Sequence, residues 1–312
     1  MLAIRLWRKS CLPVLVGGFA LLALGIFLRF TDYDREAWLL AWRYAAQWPV
    51  LAVLSAAVAA ISFTSGRRWF GGIATVACLA CVGAWVVSSW QRNEQRDLGS
   101  GAARFVYWNV AGPRERLAGA IARAHSFDAD FLAIGEAASE SEDELAQWRR
   151  AFDGYTVLRL RGEMLIATRA LVRLTRYGSL RRKGRYNIVE LELRGQPLRV
   201  LVVDFDADAT RSRRDAFEAL REVTDANTDQ PLIVMGDFNT PTDSPHFEML
   251  RGTLRDAWPM AGCGLSETWP VPVPMLRLDH VWISASLRPS AFRMDWSLLS
   301  DHRAQVLDLA WP

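Results

Sequence analysis

The feature that most limits what this chain can fold into is the uneven spread of its apolar residues. Long apolar blocks lie before residue 99, at residues 12–28, 48–63 and 69–90, and beyond them the pattern becomes that of an ordinary globular domain. A bilayer core of about 30 Å takes roughly 20 helical residues to cross, which is the scale of these blocks. The first follows Arg5, Arg8 and Lys9, but the Arg29-Phe30-Thr31-Asp32 run after it offers no small-residue cleavage site of a secretory signal. The second is slightly short unless Ala45 and Ala46 join it, and the third is flanked by Trp69 and Trp90, as expected of interface anchors. Residues 34–47 carry Arg35, Glu36 and Arg43 and are expected to lie along the membrane surface. The chain therefore reads as a membrane anchor of about three transmembrane helices over residues 1–98, a polar linker at 91–101, and a globular domain over 99–312.

Charge divides the chain in the same place. Residues 1–98 hold ten basic and five acidic residues, and the remainder holds 27 basic and 29 acidic, so the pI near 8.8 belongs to the membrane part. A domain with a net charge of −2 has no general attraction for a nucleic-acid backbone. The basic N-terminus, the acidic first loop (Asp32, Asp34, Glu36) and the basic second loop (Arg67, Arg68) place the N-terminus in the cytoplasm by the positive-inside tendency. Three spans then predict an extracytoplasmic globular domain on a cell (inner) membrane. Cys263 is the only cysteine beyond residue 98, so no disulfide framework forms inside that domain.

Within the globular part, strand-like runs at 104–110, 129–134, 155–160, 164–168, 186–193 and 198–205 alternate with helical patterns at 114–125, 142–152 and 211–224. Such a mixture predicts an α/β domain with more than one sheet. Several strand-like runs end on polar residues: Asn109, Glu136, and the alternating Asp204, Asp206 and Asp208. The stretch P-L-I-V-M-G-D-F-N-T-P ends an apolar run with Asp237 and Asn239, which in extended backbone share one face while Phe238 points the other way. Asp and Asn there suit either a simple turn or a site that positions water and phosphate. Two Asp-His pairs, Asp279-His280 and Asp301-His302, each adjoin a strand-like run in a chain with four histidines. Between residues 159 and 185, nine basic residues accompany one acid, Glu163. That excess is either a solvated set of loops or a wall for a phosphate-bearing ligand, since Arg forms paired hydrogen bonds to phosphate.

In order and context, Asn109, Glu136, Asp237, Asn239, Asp279, Asp301 and His302 resemble the site of the exonuclease–endonuclease–phosphatase family. The specific pieces are W-N-V, the strand ending in Glu136, G-D-F-N followed by T-P-T-D-S, R-L-D-H and the C-terminal S-D-H, over about residues 103–309. The resemblance implies a four-layer sandwich of two packed mixed sheets flanked by helices. It implies that Glu136 ligates a divalent cation, Mg²⁺ or Mn²⁺, with Asn109 and Asp301 nearby. Hard carboxylate oxygens suit those ions. Asp237 would deprotonate the attacking water, Asn239 would hold a phosphate oxygen, and His302, oriented by Asp279, would stabilise charge on the phosphoryl oxygens. Asp204, Asp206, Arg181, Arg182 and Arg213 are the further substrate-binding candidates. The sequence departs from the family in two places. Gly135 stands where many members carry Gln, and V-V-D-F-D-A at 202–207 has Asp204 and Asp206 where many carry a strand-end His.

Three spans followed by this domain resemble the membrane-anchored branch that includes teicoplanin-resistance-type proteins. The implied partners are the bilayer and a phosphate-bearing substrate such as a lipid-linked pyrophosphate. Two alternatives stand beside that expectation: a nuclease cleaving extracytoplasmic DNA, and a catalytically weak domain that binds a phospholipid or a partner protein.

Overall fold

The computed structural model describes residues 2–31, 37–112, 114–137 and 141–311. The chain forms two compact units, Met1–Trp90 with Asp208–Ser212 and Gln91–Ala207 with Arg213–Pro312. Asp32, Asp34 and Glu36, which carry the charge of the first loop, lie outside the described residues.

The first unit contains helices α1 (Leu2–Arg29), α2 (Ala37–Ala45), α3 (Trp48–Thr64) and α4 (Arg68–Ser89). Ser10–Arg29 and Arg68–Ser89 are each long and apolar enough to cross a membrane. Over the expected middle span, Leu39–Ala45 and Trp48–Thr64 are long and apolar enough only when taken together, and they meet at 70°. The break falls just before Pro49, which has no N–H to give and favours the first helical turn. On its own α3 has 17 residues, about 25 Å at 1.5 Å per residue. It packs against both α1 and α4, burying Leu51, Ala52, Ser55 and Val58. Val14, Val16 and Leu21 on α1, and Ile73, Val76 and Val87 on α4, stay exposed, an outward face suited to lipid.

The second unit has twelve strands that matter here: β1 (Ala102–Asn109), β2 (Phe131–Gly135), β3 (Thr156–Arg159), β4 (Leu165–Thr168), β5 (Leu171–Ser179), β6 (Gly184–Leu193), β7 (Gln196–Phe205), β8 (Leu232–Asp237), β9 (Leu254–Asp256), β10 (Asp279–Ser284), β11 (Arg288–Asp295) and β12 (Ala304–Ala310). They form two six-stranded mixed sheets, in the orders β9-β10-β8-β7-β6-β5 and β11-β12-β1-β2-β4-β3. Helices α5 (Leu117–Ser126) and α6 (Glu142–Ala151) cover the second sheet, and α7 (Arg214–Asp225) covers the first.

Side-chain alternation explains the layers. In β1, Phe105 and Tyr107 join the core between the sheets, while Val106 and Trp108 pack under α5 and α6. In β8, Ile233 and Met235 face the other sheet, and Leu232 and Val234 lie under α7 with Phe238. Each strand is apolar on both faces because both are buried, so period-two patterning is weak in the sequence and the runs read as continuously apolar. The result is the four-layer sandwich that the motifs implied.

Three strands depart from the sequence reading: β5, β9 and β11 do not stand out as apolar runs. Strands β5, β9 and β11 all lie at sheet edges; β5 is exposed along most of its length, and β11 has Pro289 at its second position. The polar segment at 91–101 is also more than a tether. The Asn93 N–H and side-chain amide both donate to the Gly262 carbonyl at 3.2 Å. Gln95 Nε2 donates to the Ala261 carbonyl at 2.7 Å, and its Oε1 accepts from the Phe292 N–H at 3.0 Å. The compact unit includes this segment from Gln91 onward.

Candidate active site

The inward parity that builds the core also builds the site. Val200 and Val202 face inward from β7, Ile233 and Met235 from β8, Val281 and Ile283 from β10, and Val189 and Leu191 from β6. Continuing each alternation to the strand end brings Asp204, Asp237, Asp279 and Arg185 onto the same face. Register makes them direct neighbours: Arg185 opposes Asp204, Asp204 opposes Asp237, and Asp237 opposes Asp279. One arginine and three aspartates thus form a row across four adjacent strands.

The second sheet meets this row with Asn109, Glu136 and His302. Asn109 ends β1 opposite Gly135 in the parallel pair β1–β2, so Glu136 is one residue beyond it. Asn109 Nδ2 donates to Glu136 Oε1 at 2.9 Å and to Asp237 Oδ2 at 3.2 Å, which links the two sheets. Its side-chain Oδ1 accepts from the Ala111 N–H at 2.9 Å, so Asn109 presents a donor, not an oxygen, to the carboxylates. His302 Nδ1 bonds Asp279 Oδ2 at 2.8 Å, and its Nε2 stands 4.0 Å from Asp237 Oδ2. Ser300, to which the sequence reading gave no role, donates to the Asn109 carbonyl at 2.7 Å and accepts from the His302 N–H at 2.9 Å. The S of the S-D-H motif therefore fastens His302 to the strand that carries Asn109.

The backbone is shaped to match. Gly236 has φ of +153°, and a Cβ there would lie 2.0 Å from the Val203 carbonyl oxygen. Only glycine lets β8 pass β7 so closely just before Asp237. The Gly135 departure has an equally local cause: a Cβ would meet the Tyr107 hydroxyl at 2.5 Å, so that phenol fills the space a side chain would take. Asn239 does not continue the strand. Its φ of +45° turns the chain, its N–H donates to Asp237 Oδ1 at 2.8 Å, and its Nδ2 donates to the Phe205 carbonyl at 2.9 Å. The extended-backbone expectation that Asp237 and Asn239 share a face is replaced by a turn in which Asn239 orients Asp237.

Burial sets the electrostatics. It pushes Asp237 up to about 7, helped by the charge of Asp279 and opposed by His302. It pushes Asp204 up to about 7 as well, against the pull of Arg185. Burial alone would lower His302, but the charge and hydrogen bond of Asp279, with Asp237 and Asp301 behind them, push it up to about 10. His302 is thus an imidazolium held between carboxylates. His280, by contrast, is lowered to about 3 by burial and the nearby Arg277, and its Nε2 contacts the Thr240 carbonyl at 3.0 Å.

A cavity of about 420 Å³ opens beside the row, lined by Glu136, Tyr177, Arg182, Arg185, Asp204, Asp206 and Asn239 among others. Two expected substrate ligands have other roles. Arg213 is buried, and its guanidinium donates to the Asn239 carbonyl at 3.3 and 3.4 Å, so it supports the turn. Arg181 bonds Glu218 at 2.7 Å and Glu222 at 2.5 Å on α7. The basic run at 159–185 is largely neutralised in the same way: Arg159 pairs with Glu142, Arg169 with Asp128, Arg173 with Glu192 and Arg176 with Glu190. As a broad phosphate-attracting wall it does not stand. Asp301 is exposed, and its Oδ2 accepts from Trp269 Nε1 at 3.0 Å.

The donor set fits a hard divalent cation. Carboxylates predominate, Asp279 Oδ1 is buried with no hydrogen-bond partner, and Asp237, Asp279 and His302 offer ligand atoms within 4.8 Å of one another. His302 Nδ1 is already bonded to Asp279, which leaves carboxylate oxygens, with the exposed Glu136 beside them, as the groups that could hold such an ion. A bound cation would offset the carboxylate charge that Arg185 and His302 leave in the row.

The sequence profile described as "Endonuclease/Exonuclease/phosphatase family" matches residues 106–302, and the chain belongs to that family. Its members are metal-dependent phosphoesterases, phosphatases and nucleases, and this chain is a hydrolase of that class. Similar solved structures include a mannosyl-6-phosphatase from Bacteroides thetaiotaomicron, 15% identical, with a TM-score of 0.58 over 67% of this chain and 100% of that one. Another family protein from the same organism is 14% identical, with a TM-score of 0.57 over 67% and 97%. D. rerio TDP2 complexed with a single-strand DNA product is 15% identical, with a TM-score of 0.55 over 67% and 98%. At these identities the likeness is one of fold. No curated protein matches the chain.

Proposed function

We propose that the globular unit is a phosphatase or pyrophosphatase acting on a phosphate substrate at a membrane surface, such as a lipid-linked pyrophosphate. The observation that carries the hydrolytic part is the row Asp204-Asp237-Asp279 closed by His302 from the other sheet. Asp237, held by the Asn239 N–H and the Asn109 amide, is the group that takes the proton of the attacking water. A carboxylate whose pKa is pushed up to about 7 is a stronger base than an exposed one. His302 stays protonated because Asp279 anchors it, and it donates to the phosphoryl oxygens as charge builds there. Magnesium or manganese, held by Glu136 with Asp301 and Asn109 beside it, would supply Lewis-acid stabilisation of those oxygens.

The membrane part of the reading rests on α3. A helix packed along both α1 and α4 belongs in the same layer as they do, so the broken pair supports three spans, a cytoplasmic N-terminus and an extracytoplasmic hydrolase on the cell membrane. With two spans the hydrolase would face the cytoplasm. A C-terminal reporter active only outside the cytoplasm checks this parity, and activity only inside overturns it. The paired-off arginine run supports a small phosphate substrate over a DNA strand, whose binding needs several free cations along a groove. The test offers the full chain in detergent, with magnesium, a polyprenyl pyrophosphate and single- and double-stranded DNA. Phosphate release is expected; cleavage of DNA alone would make the enzyme a nuclease, and no turnover would make the domain a binder.

A further inference from the structure

The cavity holds one arginine whose role neither the motifs nor the fold assigns. Arg185 enters β6 opposite Asp204, at the far end of the row from Asp279 and His302. Adjacent strands lie about 4.8 Å apart, so Arg185 starts two strands, roughly 10 Å, from Asp237, within reach of a flexible arginine and a phosphoryl group between them.

Two contacts fix its guanidinium. Nε is 3.1 Å from Asp204 Oδ2. From the other side the backbone of Gly162, with φ of +83°, packs against the stem: a Cβ there would lie 2.3 Å from Arg185 Cδ and 3.1 Å from both Nε and Nη1. A φ of +83° is one that glycine takes without strain. Among the described residues Asp204 is the one carboxylate ion-paired with Arg185, and it engages Nε. The side chain stays 46% exposed and lines the cavity with Glu136 and Asn239. A guanidinium carries five donors in a planar fork, so engagement at Nε leaves the outer edge for a ligand.

We propose that Arg185 is a phosphate-binding arginine of this enzyme, a guanidinium preset by Asp204 and the Gly162 backbone to receive the anionic oxygens of the substrate's phosphoryl group from the side opposite His302. The row then has a cation at each end and the base between them. The proposal rests on reading the site as a phosphohydrolase, but it concerns ligand binding and is measured without turnover. The competing account is that Arg185 only neutralises the buried Asp204.

Binding of inorganic phosphate to the full chain in detergent with magnesium, followed by titration calorimetry, separates the two. Arg185→Gln is expected to weaken phosphate binding about ten- to a hundredfold, the scale of a charge-assisted pair of hydrogen bonds. Arg185→Lys should recover only part, since an ammonium lacks the fork. The double variant Arg185→Gln with Asp204→Asn removes both charges together, so it restores binding if neutralisation is the whole role and stays weak if Arg185 is a ligand. Unchanged binding in Arg185→Gln, recovery in the double variant, or no phosphate binding by the wild-type chain would each overturn the proposal. Loss of binding in a chain that hydrolyses none of the substrates offered would leave Arg185 assigned and the proposed reaction refuted.

Discussion

Asp279→Asn removes one charge from the centre of the site while keeping its shape. The carboxylate is fully buried, and its Oδ2 holds His302 Nδ1 at 2.8 Å, whereas Gln305 Nε2 bonds the Asp279 backbone carbonyl, which the substitution spares. Breaking a buried pair by removing one partner costs about 3–5 kcal/mol, because the other charge is left uncompensated. Here His302, pushed up to about 10 mainly by Asp279 against the cost of burial, should fall back toward the ordinary imidazole value. A fall to about 6.5 is worth at most about 5 kcal/mol at 1.36 kcal/mol per pKa unit, and would leave only about 3% of the imidazole protonated at pH 8. Adding lost orientation, the drop in turnover should be about 10³- to 10⁴-fold, the scale of an Asp-to-Asn change in a hydrolase triad. The assay is phosphate release by the full chain with saturating magnesium between pH 6 and 9. The variant should remain folded, with residual activity that rises toward acid as His302 regains its proton. A folded variant within tenfold of wild type, with an unchanged pH profile, would refute the imidazolium role of His302.

Two further outcomes follow from the geometry. Gly236→Ala places a methyl group 2.0 Å from the Val203 carbonyl oxygen at a φ of +153°, so thermal unfolding should show a loss of about 3 kcal/mol or more; a change under 1 kcal/mol would mean that β7 and β8 separate easily. His280 sits at about 3 when folded, below the usual value near 6.5, so between those limits the unfolded chain binds a proton that the folded chain does not. Its neutral ring therefore stabilises fully above about pH 6.5, and that stability is lost as pH falls toward 3. The stability gap between wild type and His280→Phe should shrink by about 2 kcal/mol from pH 7 to pH 5, at 1.36 kcal/mol per unit below 6.5, and a constant gap would contradict the buried neutral state.

Much of the site was legible because its residues sit in local motifs. Asp237 after L-I-V-M-G, Glu136 after a buried strand and His302 in S-D-H each carry their strand-end context in a few neighbouring letters. What stayed hidden depends on register between distant strands. Arg185 looks like one of nine basic residues until β6 and β7 pair and set it opposite Asp204. Arg181 and Arg213 look equally suited to phosphate until α7 supplies Glu218 and Glu222 and the turn supplies the Asn239 carbonyl. Gly135 reads as a missing Gln, although Tyr107 from the neighbouring strand fills its space. The edge strands β5 and β11 escaped because an edge needs no continuous apolar run. In the N-terminal helical unit the apolar blocks were plain, but hydropathy does not report the 70° break before Pro49.

Asp237→Asn tests the central claim most directly, because it removes the proton acceptor and keeps the side chain's shape, with one oxygen that can still accept from the Asn239 N–H. Phosphate release from a polyprenyl pyrophosphate by the full chain with magnesium should be measurable for wild type and fall about 10³-fold or more in this variant, with inorganic phosphate still bound. Turnover by the variant at the wild-type rate would contradict the assignment of Asp237 as the base.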